Sequence, residues 1–307
     1  MFNTKKLSLS HVLLNVDNRA IFYTEGTCMP LAHTPGFSHP GTAHEQRARH
    51  WQLQRDAGVE RLPIGEAAWP QQVLAHCQAF GVATRALAAD APCPVPELSA
   101  DQRFVLSWEP LFAEVDEALA LGHCLKPVLL GPLSFLWLGQ ARDEGFDRLD
   151  LLEQLLPVYG EILQRLSRQG VEWVQIDEPI LGLELPLAWR SAFERAYHIL
   201  QYSPLQKLLA CHPSGLEANL GLAAGLPVAG LHIDLLRAPA QLPAVLDRLP
   251  AYKVLSLGVL EADSQWCSGQ QQVPAQLEHA QQRYGANLWL VQAQSHAHAQ
   301  LAQGVMA

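Results

Sequence analysis

The sequence lacks any apolar run long enough to cross a bilayer. The longest, Pro127 to Gly139 (PVLLGPLSFLWLG), is interrupted by Ser134 and falls short of the ~20 residues a spanning helix needs. It also lacks a basic cluster beyond Lys5-Lys6. Across 307 residues, 30 acidic and 21 basic side chains give a net charge of -9. Neutralising phosphates needs a basic face, so this balance argues against a nucleic-acid partner. The six cysteines (28, 77, 93, 124, 211, 267) form no CxxC pair and keep no regular spacing. That pattern points to reduced thiols in a cytoplasmic protein. Ser8, Ser10 and His11 break the apolar core that a secretory signal would need, so none is expected. No Walker, GxSxG or HExxH motif occurs, and no GxGxxG follows the first strand, which disfavours a dinucleotide fold.

What is present is a core-rich chain, 49% hydrophobic and 17% charged, with alternating short β runs and longer helical ones. The β runs are 61–65, 126–131, 173–177, 207–211, 230–234, 254–258 and 288–291, with an eighth expected within Pro30 to Phe37. Several are almost continuously apolar, as parallel strands covered on both faces should be. Between them lie helical stripes. Ser107 is placed to cap a helix with Pro110 in its first turn and Gly122 at its stop. Residues 147–170 carry a second stripe, which Pro157 should kink or divide. The Pro/Ala-rich stretch Leu87 to Asp101 reads as a loop. Eight βα units in ~250–300 residues predict an α/β fold, a single-domain (β/α)8 TIM-type barrel. A doubly wound open sheet is the rival arrangement.

In such a barrel, polar residues at strand C-terminal ends face the mouth. Those ends carry His33, Glu66, Asp177-Glu178, Cys211-His212, Asp234, Gln294, His296 and His298. Adjacent carboxylates after a buried strand need partners, so Asp177 and Glu178 either hold an ammonium group, a metal or a basic ligand, or close an internal salt bridge. Cys211, His212, Asp234 and His298 form the set that could hold zinc if the strand ends converge. Neighbouring side chains on a strand point to opposite faces, however, so Cys211 and His212 cannot both face the mouth. His296 and His298 also read as a solvated helix start. His232 shares a face with Asp234 and reads as a satisfied core histidine. Trp137 could stack on a flat ligand or pack in the core.

Two blocks carry a resemblance to a known family. The stretch 119–139 (LALGHCLKPVLLGPLSFLWLG) and the stretch 170–181 (GVEWVQIDEPIL) resemble the N-terminal domain of cobalamin-independent methionine synthase. Arg47 to Gly58, Leu62 to Gly65, Gly230 to Leu235 and Leu288 to Leu290 match in the same order. The resemblance runs from about residue 31 to about residue 295, which assigns residues 29–307 to one barrel and leaves 1–28 as an N-terminal extension.

The resemblance implies methionine biosynthesis: methyl transfer from 5-methyltetrahydrofolate to homocysteine by two (β/α)8 barrels. The C-terminal barrel holds zinc through His, Cys, Glu and Cys, and zinc lowers the pKa of the homocysteine thiol. The N-terminal barrel helps hold the folate tail. Two barrels need ~500 residues, so the catalytic half is expected on a separately encoded chain. By position in the duplicated fold, Cys211, Pro213, Asp234 and Gln294 fall near the four zinc ligands, and a Pro and a Gln cannot serve. The basic helix start that the family places after its first strand is missing beyond His33 to Gly41. Of a Lys-Trp and Tyr-His-Tyr segment, only Val95-Pro96-Glu97 remains.

Three readings follow. The first is a stand-alone accessory barrel that binds a folate- or homocysteine-like small molecule at a mouth lined by His33, Asp177, Glu178, Cys211, His212, Asp234 and Gln294. Alternatively it docks onto a separately encoded catalytic barrel, and no residue of this chain is singled out as catalytic. The second is a self-sufficient methyltransferase or thiol-directed enzyme with a variant metal site. The third is a structural relic without ligand.

Overall fold

The computed structural model describes residues 12–15, 19–24, 27–28, 31–33, 44–56, 59–66, 69–86, 94–143, 145–211, 215–260 and 273–292. Eight strands form one parallel sheet. They are β1 (Leu31–His33), β2 (Leu62–Ile64), β3 (Leu125–Leu130), β4 (Trp173–Asp177), β5 (Gln206–Cys211), β6 (Gly230–Asp234), β7 (Val254–Leu260) and β8 (Leu288–Gln292). Their order is β1-β8-β7-β6-β5-β4-β3-β2, so sequential strands lie side by side. The end strands β1 and β2 approach within 8 Å between Cα atoms, which curls the sheet into a TIM-type barrel. The eighth strand falls inside its expected window, and the other seven match their β runs to within two residues at either end.

Helices α1 (His44–Asp56), α2 (Trp69–Phe80), α3 (Glu109–Ala120), α4 (Pro132–Leu138), α5 (Leu152–Gln169), α6 (Leu187–Leu200), α7 (Leu220–Gly225), α8 (Leu242–Arg248) and α9 (Val273–Tyr284) follow the strands. The main core lies between helices and strands. There α5 buries Leu152, Leu155, Leu156, Val158, Tyr159, Ile162, Leu163 and Leu166. Strand parity divides the sheet residues. Leu209, Cys211, Leu231, Ile233 and Leu255 join this outer core. Leu208, Val254, Trp289 and Val291, packed with Trp173, form a separate cluster inside the barrel. Val12–Asn15, Arg19–Thr24 and Thr27–Cys28 make a separate small antiparallel sheet.

Three local expectations change. α3 begins after Trp108, without a side-chain cap, so Ser107 is not its cap; Pro110 still lies in the first turn and Gly122, at φ +76°, ends it. α5 runs undivided through Pro157. Pro157 lies near the helix start, and the continuous apolar stripe around it holds the helix together. The stretch Leu87 to Asp101 contains a strand, Pro94–Leu98, paired antiparallel with Ala83–Ala86 and parallel with Gln140–Ala141. Pro94 and Pro96 are two apart, so both missing N–H groups fall on the same edge and the other edge can still pair. Of the candidate linear motifs, Trp137 packs edge-on against Trp189 at 4.8 Å, the core alternative.

Candidate functional site at the mouth of the barrel

The parity that builds the barrel also separates Asp177 from Glu178. Asp177 is the last residue of β4 and shares its inward face with Gln175. Gln175 donates through Nε2 to Asp177 Oδ1 at 2.7 Å and accepts from the Lys126 ammonium through Oε1. Gln72, on α2, reaches Asp177 Oδ2 at 3.4 Å. Lys126 lies on β3 and is 2% exposed. Burial pulls its pKa down to about 8, against the opposing charges of Glu66 and Asp177. Glu66, Lys126, Gln175, Asp177 and Gln72 therefore form one buried polar arc along β2 to β4, running from Lys126 near the start of β3 to Asp177 and Glu66 at the C-terminal ends of β4 and β2.

His76 completes the wall beside this arc. β2 pairs with β3 only as far as Pro127, which leaves the Leu130 N–H beyond the end of the shorter strand. That N–H donates to His76 Nε2 at 2.9 Å. Nδ1 then carries the ring proton and donates to the Gln72 carbonyl at 2.7 Å. The ring is thus held neutral, and burial lowers its pKa to about 4. The Leu130 carbonyl accepts from the Tyr159 hydroxyl at 2.5 Å. His76 acts here as a substitute strand partner.

Glu178 turns the other way, into the helix layer. It accepts from Ser134 N at 2.8 Å, Ser134 Oγ at 2.6 Å, Leu133 N at 3.3 Å and the Tyr197 hydroxyl at 3.3 Å. The carboxylate lies so close to Gly131 that a Cβ there would sit 2.1 Å from its Cδ, so only glycine fits before α4. Burial raises the Glu178 pKa to about 7, with the four donors pulling it back down. The two adjacent carboxylates do not act as a pair: one belongs to the lumen, the other to the α4 turn.

The remaining expected residues scatter. Cys211 is fully buried on the outward face of β5, in the helix-side core, and does not line the mouth. Burial, then the charges of Glu178 and Asp177, push its thiol well above the ordinary range. Asp234 ends β6 facing inward but is taken up by its own turn. It pairs with the Arg237 guanidinium and accepts from Leu236 N at 2.9 Å and Arg237 N at 3.2 Å. His33 ends β1 beside Val291 in the ladder. His212, Gln294, His296 and His298 lie outside the described residues. His232 bonds Ser256 Oγ at 2.9 Å inside the barrel, in accord with its core reading.

The family profile described as "Cobalamin-independent synthase, N-terminal domain" matches residues 94–285, more than half of the chain and the segment that supplies Lys126, Gln175, Asp177 and Glu178. The chain belongs to this family. Among solved structures, a B12-independent methionine synthase from Shewanella sp. W3-18-1, in complex with selenomethionine, superposes with a TM-score of 0.62 at 13% identity. The match covers 91% of this chain and 94% of that one. A methyltransferase from Methanosarcina mazei gives a TM-score of 0.61 at 12% identity, over 86% and 85% of the two chains. At these identities the likeness shows a shared fold.

In a cobalamin-independent synthase domain the zinc expectation can be tested on the residues themselves. Among the described residues no group of three His, Cys, Asp or Glu side chains could hold a metal ion. Cys211 faces away from the lumen, and its surroundings oppose the thiolate that zinc requires. Both Asp234 oxygens are engaged. This part of the expected set does not fit zinc, and no chemistry is routed through the metal here. The residues that sequence reasoning missed are Lys126, Gln175, Gln72 and His76. A signal existed for two of them. A lysine in a buried parallel strand must have a partner, and Gln175 shares a face with Asp177 at a spacing of two.

Proposed function

We propose that this domain serves methionine biosynthesis as a ligand-binding barrel, taking a folate- or homocysteine-like small molecule at its C-terminal face. It works with a separately encoded zinc-bearing barrel in methyl transfer from 5-methyltetrahydrofolate to homocysteine. The observation that carries this reading is the buried polar arc of Glu66, Lys126, Gln175 and Asp177. It runs up the lumen from Lys126 near the start of β3 to Asp177 and Glu66 at the strand ends, where barrels of this kind place their ligands, and Lys126, Gln175 and Asp177 fall inside the segment matched by the family. The arrangement of Cys211 and Asp234 supports an accessory role over zinc chemistry on this chain. Among the described residues, no helix is long and apolar enough to cross a membrane.

A second reading has its own support. The Shewanella methionine synthase is matched over 94% of its length, so a chain of similar span bears that title. Self-sufficient methyl transfer is therefore the competing reading. The test is thermal melting and turnover on the purified chain. Saturating 5-methyltetrahydrofolate or homocysteine should raise the melting temperature, since ligand at 100 times Kd adds about 2.7 kcal/mol. Turnover should appear only when a catalytic-barrel protein is added. Turnover by the chain alone selects the second reading. No shift with either ligand and no turnover removes both.

A further inference from the structure

The structure assigns the seam between β1 and β2 as a hinge line of the barrel, with Glu117 as the clamp that holds α1 closed over it. Among the described residues every other neighbouring strand pair is joined by a backbone ladder, and β1 and β2 are not. Both are three residues long. β1 is held to β8 by an irregular register at Leu31 and His33. β4 and β5, by contrast, pair continuously from Trp173–Gln206 to Asp177–Ala210.

The helix that follows β1 and packs on β2 beside this seam is weakly held. α1 buries only Trp51 and Gln54, where α5 buries eight residues. A charged anchor among the described residues is a carboxylate on α3. Glu117 accepts from Arg47 Nε at 3.2 Å and Nη2 at 2.5 Å, and His44 Nε2 lies 2.7 Å from its other oxygen. The Glu117 side chain is 11% exposed, so this contact is shielded from water more than an ordinary surface pair. Segments with few buried contacts are the ones that open below the global unfolding free energy. An opening here would carry His33 at the end of β1 away from Glu66 at the end of β2. It would widen the mouth beside the polar arc without disturbing β4 to β6. The inference does not depend on which ligand the mouth takes.

Hydrogen exchange read by mass spectrometry on the full chain tests it. In the wild-type protein, amides of α1 and β1 should exchange well before those of β4 to β6. Glu117→Gln should speed exchange of α1 and β1 by about tenfold and leave β4 to β6 at wild-type rates. Arg47→Ala, which cuts the same contact from the other side, should reproduce the pattern. The hinge is overturned if wild-type α1 is as protected as β4 to β6, a result that needs no variant to fold. The clamp is overturned if either variant leaves α1 unchanged or accelerates all segments together.

Discussion

Strands β2 to β4 and strands β5 to β8 line the same lumen with different chemistry. The second arc is filled mainly by Leu208, Val254, Trp289 and Val291, with the His232–Ser256 pair set among them. The first is filled by Lys126, Gln175 and Asp177, with Glu66 and Gln72 alongside. The apolar arc shows that this barrel closes on aliphatic and aromatic packing. The polar arc is therefore not required for closure, and a buried ion pair is often no more stabilising than apolar packing of the same volume. A network that stability does not demand, reaching the strand ends at Asp177 and Glu66, supports the ligand-binding proposal.

The largest expected effect is on the polar side. Lys126→Met leaves Asp177 and Glu66 buried without their ammonium and should cost about 3–5 kcal/mol. Leu208→Ala on the apolar side should cost about 2–5 kcal/mol through lost burial and a cavity. The sharper readout is the double variant Lys126→Met/Asp177→Asn. It should recover part of the first loss, because it removes a charge that the single variant strands. Urea denaturation of the wild type, Lys126→Met, Asp177→Asn and the double variant checks this. If the double variant loses as much as the two single changes added together, Lys126 and Asp177 are not coupled and the polar arc is not one unit.

That arc was only half legible in the sequence. Parallel strands announce themselves by apolar runs, so β3 to β8 were readable to within two residues at either end. Asp177 was readable as a strand-end acid. Its partner Gln72 was not, because it reaches Asp177 from α2, 105 positions away in sequence. The opposed directions of Asp177 and Glu178 follow from strand parity alone. What the sequence could not show is that a glycine at 131 opens room for Glu178 at the α4 turn. Cys211 was drawn to the mouth by its place at the end of β5, while its parity with Leu209 places it in the outer core. The strand within Leu87 to Asp101 was hidden because proline content outweighed its pairing edge.

A middle-sized effect separates the two arcs at their floor. Arg61 lies over the rings of Trp173 and Trp289, at 5.9 Å and 5.0 Å from their centroids, and the two indoles are 4.6 Å apart. This stack joins β2 to β4 and β8 at the N-terminal face. Arg61→Ala should cost about 1–2 kcal/mol by loss of cation–π contact and of packing by the arginine stem. Arg61→Lys should retain part of it, because an ammonium keeps the charge but not the flat stacking surface. Equal stability of all three proteins in urea would show that the floor contributes nothing beyond the indole pair.

The smallest effect is a slope in pH, and it contrasts His76 on α2 with Glu178 at the α4 turn. Glu178 titrates near 7 in the fold, above its ordinary 4.5, so the folded state holds an extra proton between those values. Its contribution is complete below about pH 4.5 and is lost as pH rises through 7. His76 runs the opposite way. Its pKa falls from 6.5 to about 4, so its contribution is absent below 4 and grows up to 6.5. Between pH 4.5 and 6.5 the two slopes oppose each other, and wild-type stability should change little on their account. Glu178→Gln keeps an oxygen acceptor beside Ser134 but removes the titration, so stability in this variant should rise with pH across that window. Melting temperatures at half-unit steps from pH 4.5 to 7 read the difference. If the wild-type and variant curves run parallel, Glu178 is ionised throughout and its four donors outweigh its burial.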